Sequence, residues 1–197
     1  SFDATPVGTD SNVASVVTNH TSSVTIRPLT AGTDMDLGGS DVLTGTLELG
    51  LSDAELDIIS TGTLTLGSSD AGDVRITSDI SPALATNLAF NSGQSIELSG
   101  NVTSIGTQNY QANLAVAQAD LVIEARGLSF VGLDLDTNGL TLRDTGSSDI
   151  AGVIVGAGSL VKEGSGSMTL SGANTYSGGT TISGGVLRAG ISSVCTP

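Results

Sequence analysis

Oxygen-bearing side chains alternate along residues 134–139, which read Asp-Leu-Asp-Thr-Asn-Gly. Asp134, Asp136 and Asn138 match the opening of a calcium loop, in which oxygens at alternate positions converge on one hard cation. The bidentate glutamate that closes such a loop is missing, because Thr145 holds its position. The simpler interpretation is a strand with its leucines inward and its aspartates in solvent. We therefore expect no cofactor, and calcium at these three residues is the one candidate.

A group of carboxylates near residue 50 raises the question of glycoside hydrolysis, which uses two carboxyl groups. The group comprises Glu48, Asp53, Glu55 and Asp57. Lyase chemistry needs a basic residue beside calcium-binding carboxylates, and Lys162 is the only lysine. The lone His20 and the distant Cys195 make no convincing nucleophile–base pair. Solvated outward faces explain the carboxylates more simply, so we predict that the chain is not an enzyme.

The charge balance narrows the range of partners. The chain carries 20 acidic and 6 basic residues, a formal net charge of −14. Nucleic-acid binding needs a basic face, which six scattered cations cannot build. No apolar run approaches the roughly 20 residues that span a bilayer. We expect neither nucleic-acid binding nor direct insertion into a membrane.

Short strands with an apolar–x–apolar pattern recur along the chain and predict an all-β fold. Period-2 alternation buries one face of a strand and exposes the other. The flanking Gly, Asn, Asp and Ser residues favour tight turns. The strands are centred on Thr25, Glu48, Thr65, Arg75, Glu97, Val122, Thr141 and Thr169.

Helix signals are sparse. Ser52 precedes Glu55 at the capping-box spacing, which predicts one short turn of helix over residues 52–57. Residues 108–118, rich in Ala, Gln and Asn, are interpreted as an irregular excursion that runs into a strand at residues 114–116. The loop over residues 108–119 is the first place in which we would seek a recognition site.

Internal similarity indicates a coiled chain. Residues 45–50 recur as residues 62–67, an offset of 17, and residues 166–170 recur loosely as residues 184–188. Residues 160–164 form a degenerate third copy. Offsets of this size approach the length of one solenoid coil. The scarcity of aromatics, at 3% of residues, suits a thin core of stacked aliphatic side chains.

Residues 156–190 contain the segment LSGANTYSGGTTISGGVL. This segment resembles the strand repeat in passenger regions of bacterial autotransporters and related secreted adhesins. The resemblance implies a right-handed parallel β-helix. Residues 24–28, 36–39 and 51–67 also resemble a block in filamentous-haemagglutinin-like proteins, which implies a secreted β-helical rod.

From these patterns we predict one β-helical unit over residues 1–197. It has an irregular start (1–21), haemagglutinin-like coils (22–155), the strand repeat (156–190) and a tail (191–197). We expect an internal or carboxy-terminal piece of a passenger, at the bacterial surface or secreted, that acts as an adhesive stalk or scaffold. Partners would be other coils of the parent protein, further copies of the chain, or host and matrix glycans or proteins. The alternatives are a self-assembling subunit of an extracellular fibre or sheath and, less favoured, a polysaccharide-degrading β-helix.

Overall fold

The computed structural model describes residues 16–17, 22–39 and 48–190 of the 197-residue chain. These residues contain short strands and one helix, α1 (Asp53–Asp57). The strands are β1 (Val16–Val17), β2 (Ser23–Ile26), β3 (Asp34–Leu37), β4 (Glu48–Leu51), β5 (Ile59–Gly67), β6 (Val74–Ile76), β7 (Ala85–Asn91), β8 (Ser95–Leu98), β9 (Val102–Thr103), β10 (Thr107–Tyr110), β11 (Asn113–Val116), β12 (Leu121–Ala125), β13 (Gly127–Phe130), β14 (Leu133–Asp134), β15 (Leu140–Asp144), β16 (Ser147–Ile150), β17 (Ile154–Val155), β18 (Leu160–Glu163), β19 (Ser167–Leu170), β20 (Thr180–Ile182) and β21 (Val186–Ala189).

Three parallel sheets run along the molecule. The first has the order β1-β5-β7-β10-β13-β16-β19-β21, with β2 also paired to β5. The second runs β17-β14-β11-β8-β6-β3-β4, and the third runs β20-β18-β15-β12-β9. From β10 to β18 the chain visits the three sheets in turn. The described residues therefore form a parallel β-solenoid of about six turns with almost no helix, which confirms the predicted all-β fold class.

The register of the first sheet sets the coil length. Tyr110 pairs with Phe130, and Ile150 pairs with Leu170, so each step is 20 residues. At the last described coil Met168 pairs with Leu187, a step of 19 residues. Like residues are thereby stacked on one another, because each inward position repeats at nearly constant spacing.

The offset of 17 residues is not a coil repeat. Glu48 belongs to β4, which pairs with β3 in the second sheet. The matching segment at residues 62–67 lies in β5, in the first sheet. The two copies share a strand pattern but occupy different sheets, so the prediction that they lie on successive coils is wrong. The later similarity does join neighbouring strands, β19 and β21, one residue out of the predicted alignment.

The interior is a continuous column of aliphatic side chains with one aromatic stack. Leu64, Leu88 and Leu128 are among the buried residues of the first sheet. The rings of Phe90 and Tyr110 lie 4.9 Å apart between centroids, and the rings of Tyr110 and Phe130 lie 4.7 Å apart. Offset aromatic pairs add about 0.5–1.5 kcal/mol each beyond the free energy of burial. The core therefore forms by stacking equivalent positions of successive coils.

Helix α1 confirms the predicted capping box. The backbone N–H of Ser52 donates to Glu55 Oε2 at 2.9 Å, and the Ser52 hydroxyl contacts the same oxygen at 2.8 Å. Leu56 points into the core and is fully buried. The single turn of helix thus closes the coil between β4 and β5.

The segment at residues 108–118 differs from the predicted irregular excursion. Thr107–Tyr110 and Asn113–Val116 are regular strands, β10 and β11, in the first and second sheets. Gln108 and Tyr110 point inward and bond to each other through Tyr110 Oη and Gln108 Oε1 at 2.8 Å. Sequence polarity suggested a loop because these polar residues satisfy one another inside the solenoid, out of contact with water.

Candidate functional site

The calcium candidates lie in one turn after β14. Asp134 Oδ1 accepts the backbone N–H of Asp136 at 2.9 Å, and Asp136 has a φ of 47°, in the left-handed region. The side-chain amide of Asn138 donates to Val116 O of the preceding coil at 2.8 Å. The turn therefore brings two carboxylates together and directs the Asn138 amide nitrogen to the neighbouring coil.

Calcium binding at Asp134, Asp136 and Asn138 stays a prediction. Within the described residues, no group of three or more His, Cys, Asp or Glu side chains is placed to hold a metal ion. Titration calorimetry with millimolar calcium is the direct test. A chain that releases or absorbs no heat of binding would end the calcium hypothesis.

The carboxylates near residue 50 have separate structural partners. Asp53 Oδ1 accepts the backbone N–H of Ser81 at 2.7 Å, and Asp57 Oδ1 accepts that of Ala83 at 2.8 Å. Glu55 caps α1, as described above. The fourth, Glu48, lies on a strand, with its Oε1 3.7 Å from an Arg75 nitrogen. No two of these four carboxylates share a partner, which suits a structural segment more than a catalytic pair.

Side-chain oxygens that accept a backbone N–H from an adjacent coil recur along the solenoid. The pairs are Asp34 with Asp73, Asp73 with Ser95, Asp79 with Asn101, Asn87 with Thr107, and Asn101 with Val122, at 2.8–3.2 Å. Chain corners leave backbone donors without a sheet partner, and these side chains satisfy them. Much of the acidic composition therefore serves to join coils.

Two arginines each lie among carboxylates on the outer face. Arg75 nitrogens lie 2.9–3.7 Å from Asp34, Glu48, Asp73 and Glu97. Partial burial lowers the pKa of Arg75, but the hydrogen bond to Asp34 and the surrounding negative charges outweigh it, so the pKa is raised overall. Hydrogen bonds to Glu124 and Glu163 raise the pKa of Arg143 in the same way. These half-exposed ladders add modest stability, because solvent screens them.

A charged network lies inside the solenoid at residues 144–164. Lys162 and Asp144 are both fully buried, and Lys162 Nζ contacts Asp144 Oδ1. Oδ1 has no other donor among the described residues. The Ser148 hydroxyl donates to Asp144 Oδ2 at 2.7 Å, and Lys162 Nζ also donates to Glu163 O at 2.6 Å.

Sequence reasoning missed this network, although a signal was available. Lys162 is in phase with Leu160 on β18, and Asp144 is in phase with Leu140 and Leu142 on β15. Side chains two residues apart on a strand share a face. Both charges were therefore assigned to the core by the alternation itself.

The corner residues of the strand repeat contact the preceding coil. Asn174 Oδ1 accepts the backbone N–H of Ile154 at 2.8 Å, which agrees with the predicted role of this amide in joining coils. Tyr176 packs against the core and its hydroxyl contacts Thr180 Oγ1. His20 and Cys195 lie outside the described residues.

Comparison with known proteins identifies the repeat. Residues 160–189 match the family Passenger-associated-transport-repeat. No curated protein and no solved structure matches the chain. The match falls within the predicted repeat at residues 156–190, so this segment is an autotransporter passenger repeat, which implies a secreted or surface protein. Among the described residues, none of the helices has the length and apolar character to cross a membrane.

Proposed function

We propose that the chain is a stalk or scaffold segment in the passenger of a large bacterial surface or secreted protein, and that it supports adhesion. The observation that carries this proposal is the continuous ladder of parallel strands from β5 to β21. Each coil contacts only its neighbours, so a pulling force is shared by the many parallel hydrogen bonds between coils. The corner carboxylates and amides add further bonds between the same coils.

A substitution of coils in the parent protein tests the stalk role. Residues 48–190 would be replaced by the same number of coils from a β-solenoid with an unrelated outer surface. We expect bacteria that display the hybrid to adhere as well as bacteria with the natural protein, because a stalk supplies length and stiffness. A matched parent that lacks the segment should adhere less well. Loss of adhesion by the hybrid, with surface display unchanged, would show that the natural outer surface binds the host or matrix partner.

The open end of the solenoid favours self-assembly as a second candidate function. Ile182 stacks on Lys162, which is fully buried, yet Ile182 itself is 53% exposed. Leu187, which stacks on the buried Met168, is only partly buried. Exposed apolar side chains beside free strand edges favour a further β-coil as partner. Such a coil comes from the parent protein or from another copy of the chain.

Sedimentation at rising protein concentration separates the two functions. Self-assembly predicts growing species in the natural sequence and less growth in Ile182→Asp. The matched control is Thr181→Asp, which places the charge on the neighbouring residue of β20, in the opposite phase of the strand. A strictly monomeric rod at high concentration would leave the stalk role and remove the fibre subunit.

A further inference from the structure

We propose that Lys162 and Asp144 condense to an intramolecular isopeptide bond, a covalent link between adjacent coils. The two side chains are fully buried and in direct contact. They belong to β15 and β18, which pair in the third sheet. The inference rests on this geometry and is independent of the stalk role.

The amino group is held beside the carboxyl group. Lys162 Nζ donates to Glu163 O at 2.6 Å and lies 3.4 Å from Gly164 O, while it contacts Asp144 Oδ1. Fixing two reactants in this way turns a bimolecular condensation into an effectively unimolecular one. Burial disfavours the two charges, so a proton passes from Nζ to the Oδ1 that it touches and leaves a neutral, nucleophilic amine.

Ser148 is a positioning residue for the carboxyl group. Its Oγ accepts the backbone N–H of Leu128 at 2.9 Å and donates to Asp144 Oδ2 at 2.7 Å. The backbone N–H occupies one side of the hydroxyl oxygen, so the hydroxyl proton is directed at Oδ2. Negative charge that develops on Oδ2 during attack is stabilised by this fixed donor.

The condensation balances without any further reactant. A bond forms between Lys162 Nζ and Asp144 Cγ, and the bond between Cγ and Oδ1 breaks. Oδ1 leaves as water with two of the three ammonium protons, and the third stays on the amide nitrogen. Oδ2 becomes the carbonyl oxygen, and nothing is oxidised or reduced. The product replaces a buried ion pair, whose desolvation is costly, by a neutral amide in an interior that excludes water.

Intact mass spectrometry under denaturing conditions tests the link in the natural sequence. The folded chain, incubated for days before it is denatured, should be lighter by one water molecule than its sequence. The same preparation denatured from the start should keep the full mass. A folded chain that keeps the full mass throughout the incubation overturns the proposal and leaves an ion pair.

Tryptic digestion locates the link, because Arg143, Lys162 and Arg188 are successive cleavage sites. An amide on Lys162 removes the charge that trypsin recognises. The linked chain should therefore yield residues 144–188 as a single fragment, uncut at Lys162 and lighter by one water molecule. Recovery of residues 144–162 and 163–188 as separate fragments, both of full mass, would contradict the link.

Two variants complete the test. Lys162→Arg keeps the positive charge and the trypsin site but has no primary amine, so it should show the full mass and normal cleavage. Ser148→Ala should slow the appearance of the lighter species without changing its final mass. A lighter species in Lys162→Arg would assign the lost water to another site, and an unchanged rate in Ser148→Ala would remove the positioning role.

Discussion

At the scale of single residues, strand phase decides what a charged side chain does in this solenoid. The carboxylate of Asp134 lies in the outward phase and bonds locally to the next turn. Asp144 lies in the inward phase and meets Lys162 in the core. Breaking such a buried pair by removing one partner costs about 3–5 kcal/mol, since the other charge is left without compensation.

Gly158 is required where one coil passes close to the next. An added Cβ would lie 1.9 Å from Asn138 O of the preceding coil, so the backbone would have to move. We expect Gly158→Ala to lower the free energy of unfolding by about 1–3 kcal/mol, as overpacked sites do. Urea unfolding followed by circular dichroism measures the change.

Gly139→Ala is the matched control for that substitution. Its added Cβ would approach only Ser159 Oγ, at 3.3 Å, which is a movable side-chain atom. The control should therefore be much less destabilising. Equal losses in Gly158→Ala and Gly139→Ala would show that contact with the preceding coil is not the cause.

Tyr110 makes the solenoid sensitive to alkali. Burial raises the pKa of Tyr110 well above its ordinary value of 10. A raised pKa contributes stability that is complete below the pKa of the unfolded chain and is lost as pH rises toward the folded pKa. Above about pH 10 the free energy of unfolding should fall by about 1.4 kcal/mol per pH unit from this residue.

Urea unfolding of the natural sequence and of Tyr110→Phe, at several values between about pH 9 and 11, isolates that contribution. Tyr110→Phe should be less stable at neutral pH, because Gln108 Oε1 loses its partner. Its stability should also fall less steeply with pH. Parallel pH curves for the two proteins would contradict the assignment to Tyr110.

At the scale of elements, corner bonds hold short strands and loops in register. Asp57, at the end of α1, accepts the backbone N–H of Ala83 in the next corner. We expect Asp57→Ala to accelerate hydrogen exchange at the Ala83 amide and to cost about 1 kcal/mol of stability, because one hydrogen bond to a charged group is lost. Exchange at Ser81, which is bonded to Asp53, should change little and serves as the internal control. Uniform acceleration at both amides would indicate general loosening of the corner.

The existence of most strands was predictable from sequence, and their neighbours were not. The pattern at Leu64 to Leu66 is local, so period-2 alternation is enough to predict a strand there. Pairing is a long-range property, and the same pattern at Glu48 to Leu51 enters a different sheet. The calcium candidates were found as a motif, while the buried pair at Asp144 and Lys162 required the inward phase of two strands to be compared. Polar residues such as Gln108 were misassigned because their partners lie elsewhere in the chain.

At the scale of the whole molecule, the described residues behave as a stack of interchangeable layers. Thr107 pairs with Gly127, 20 residues later, and Asn87 lies one coil before Thr107. Removing residues 107–126 should therefore place Phe90 over Phe130 and leave the other stacks in register. The deletion spares Asp144, Lys162 and Ser148. Stability in such stacks depends on repeat and nearest-neighbour terms, so a coil can be lost without loss of the fold.

We expect the chain that lacks residues 107–126 to keep its β-sheet circular dichroism and a cooperative thermal transition, at a somewhat lower temperature. A chain that lacks residues 107–116 should lose both, because half a coil shifts inward residues to other sheets. If the two deletions behave alike, the coils are not equivalent layers.

The placement of Lys162 also governs how this protein can be handled and attached. The chain has one lysine, and that lysine is fully buried, so the folded molecule presents no lysine amine to an acylating reagent. Coupling to an amine-reactive support would occur at the terminal α-amino group alone. Every molecule would then be tethered from the same end. The solenoid would stand on the support in one orientation, and its sides would remain chemically untouched for imaging or force measurement.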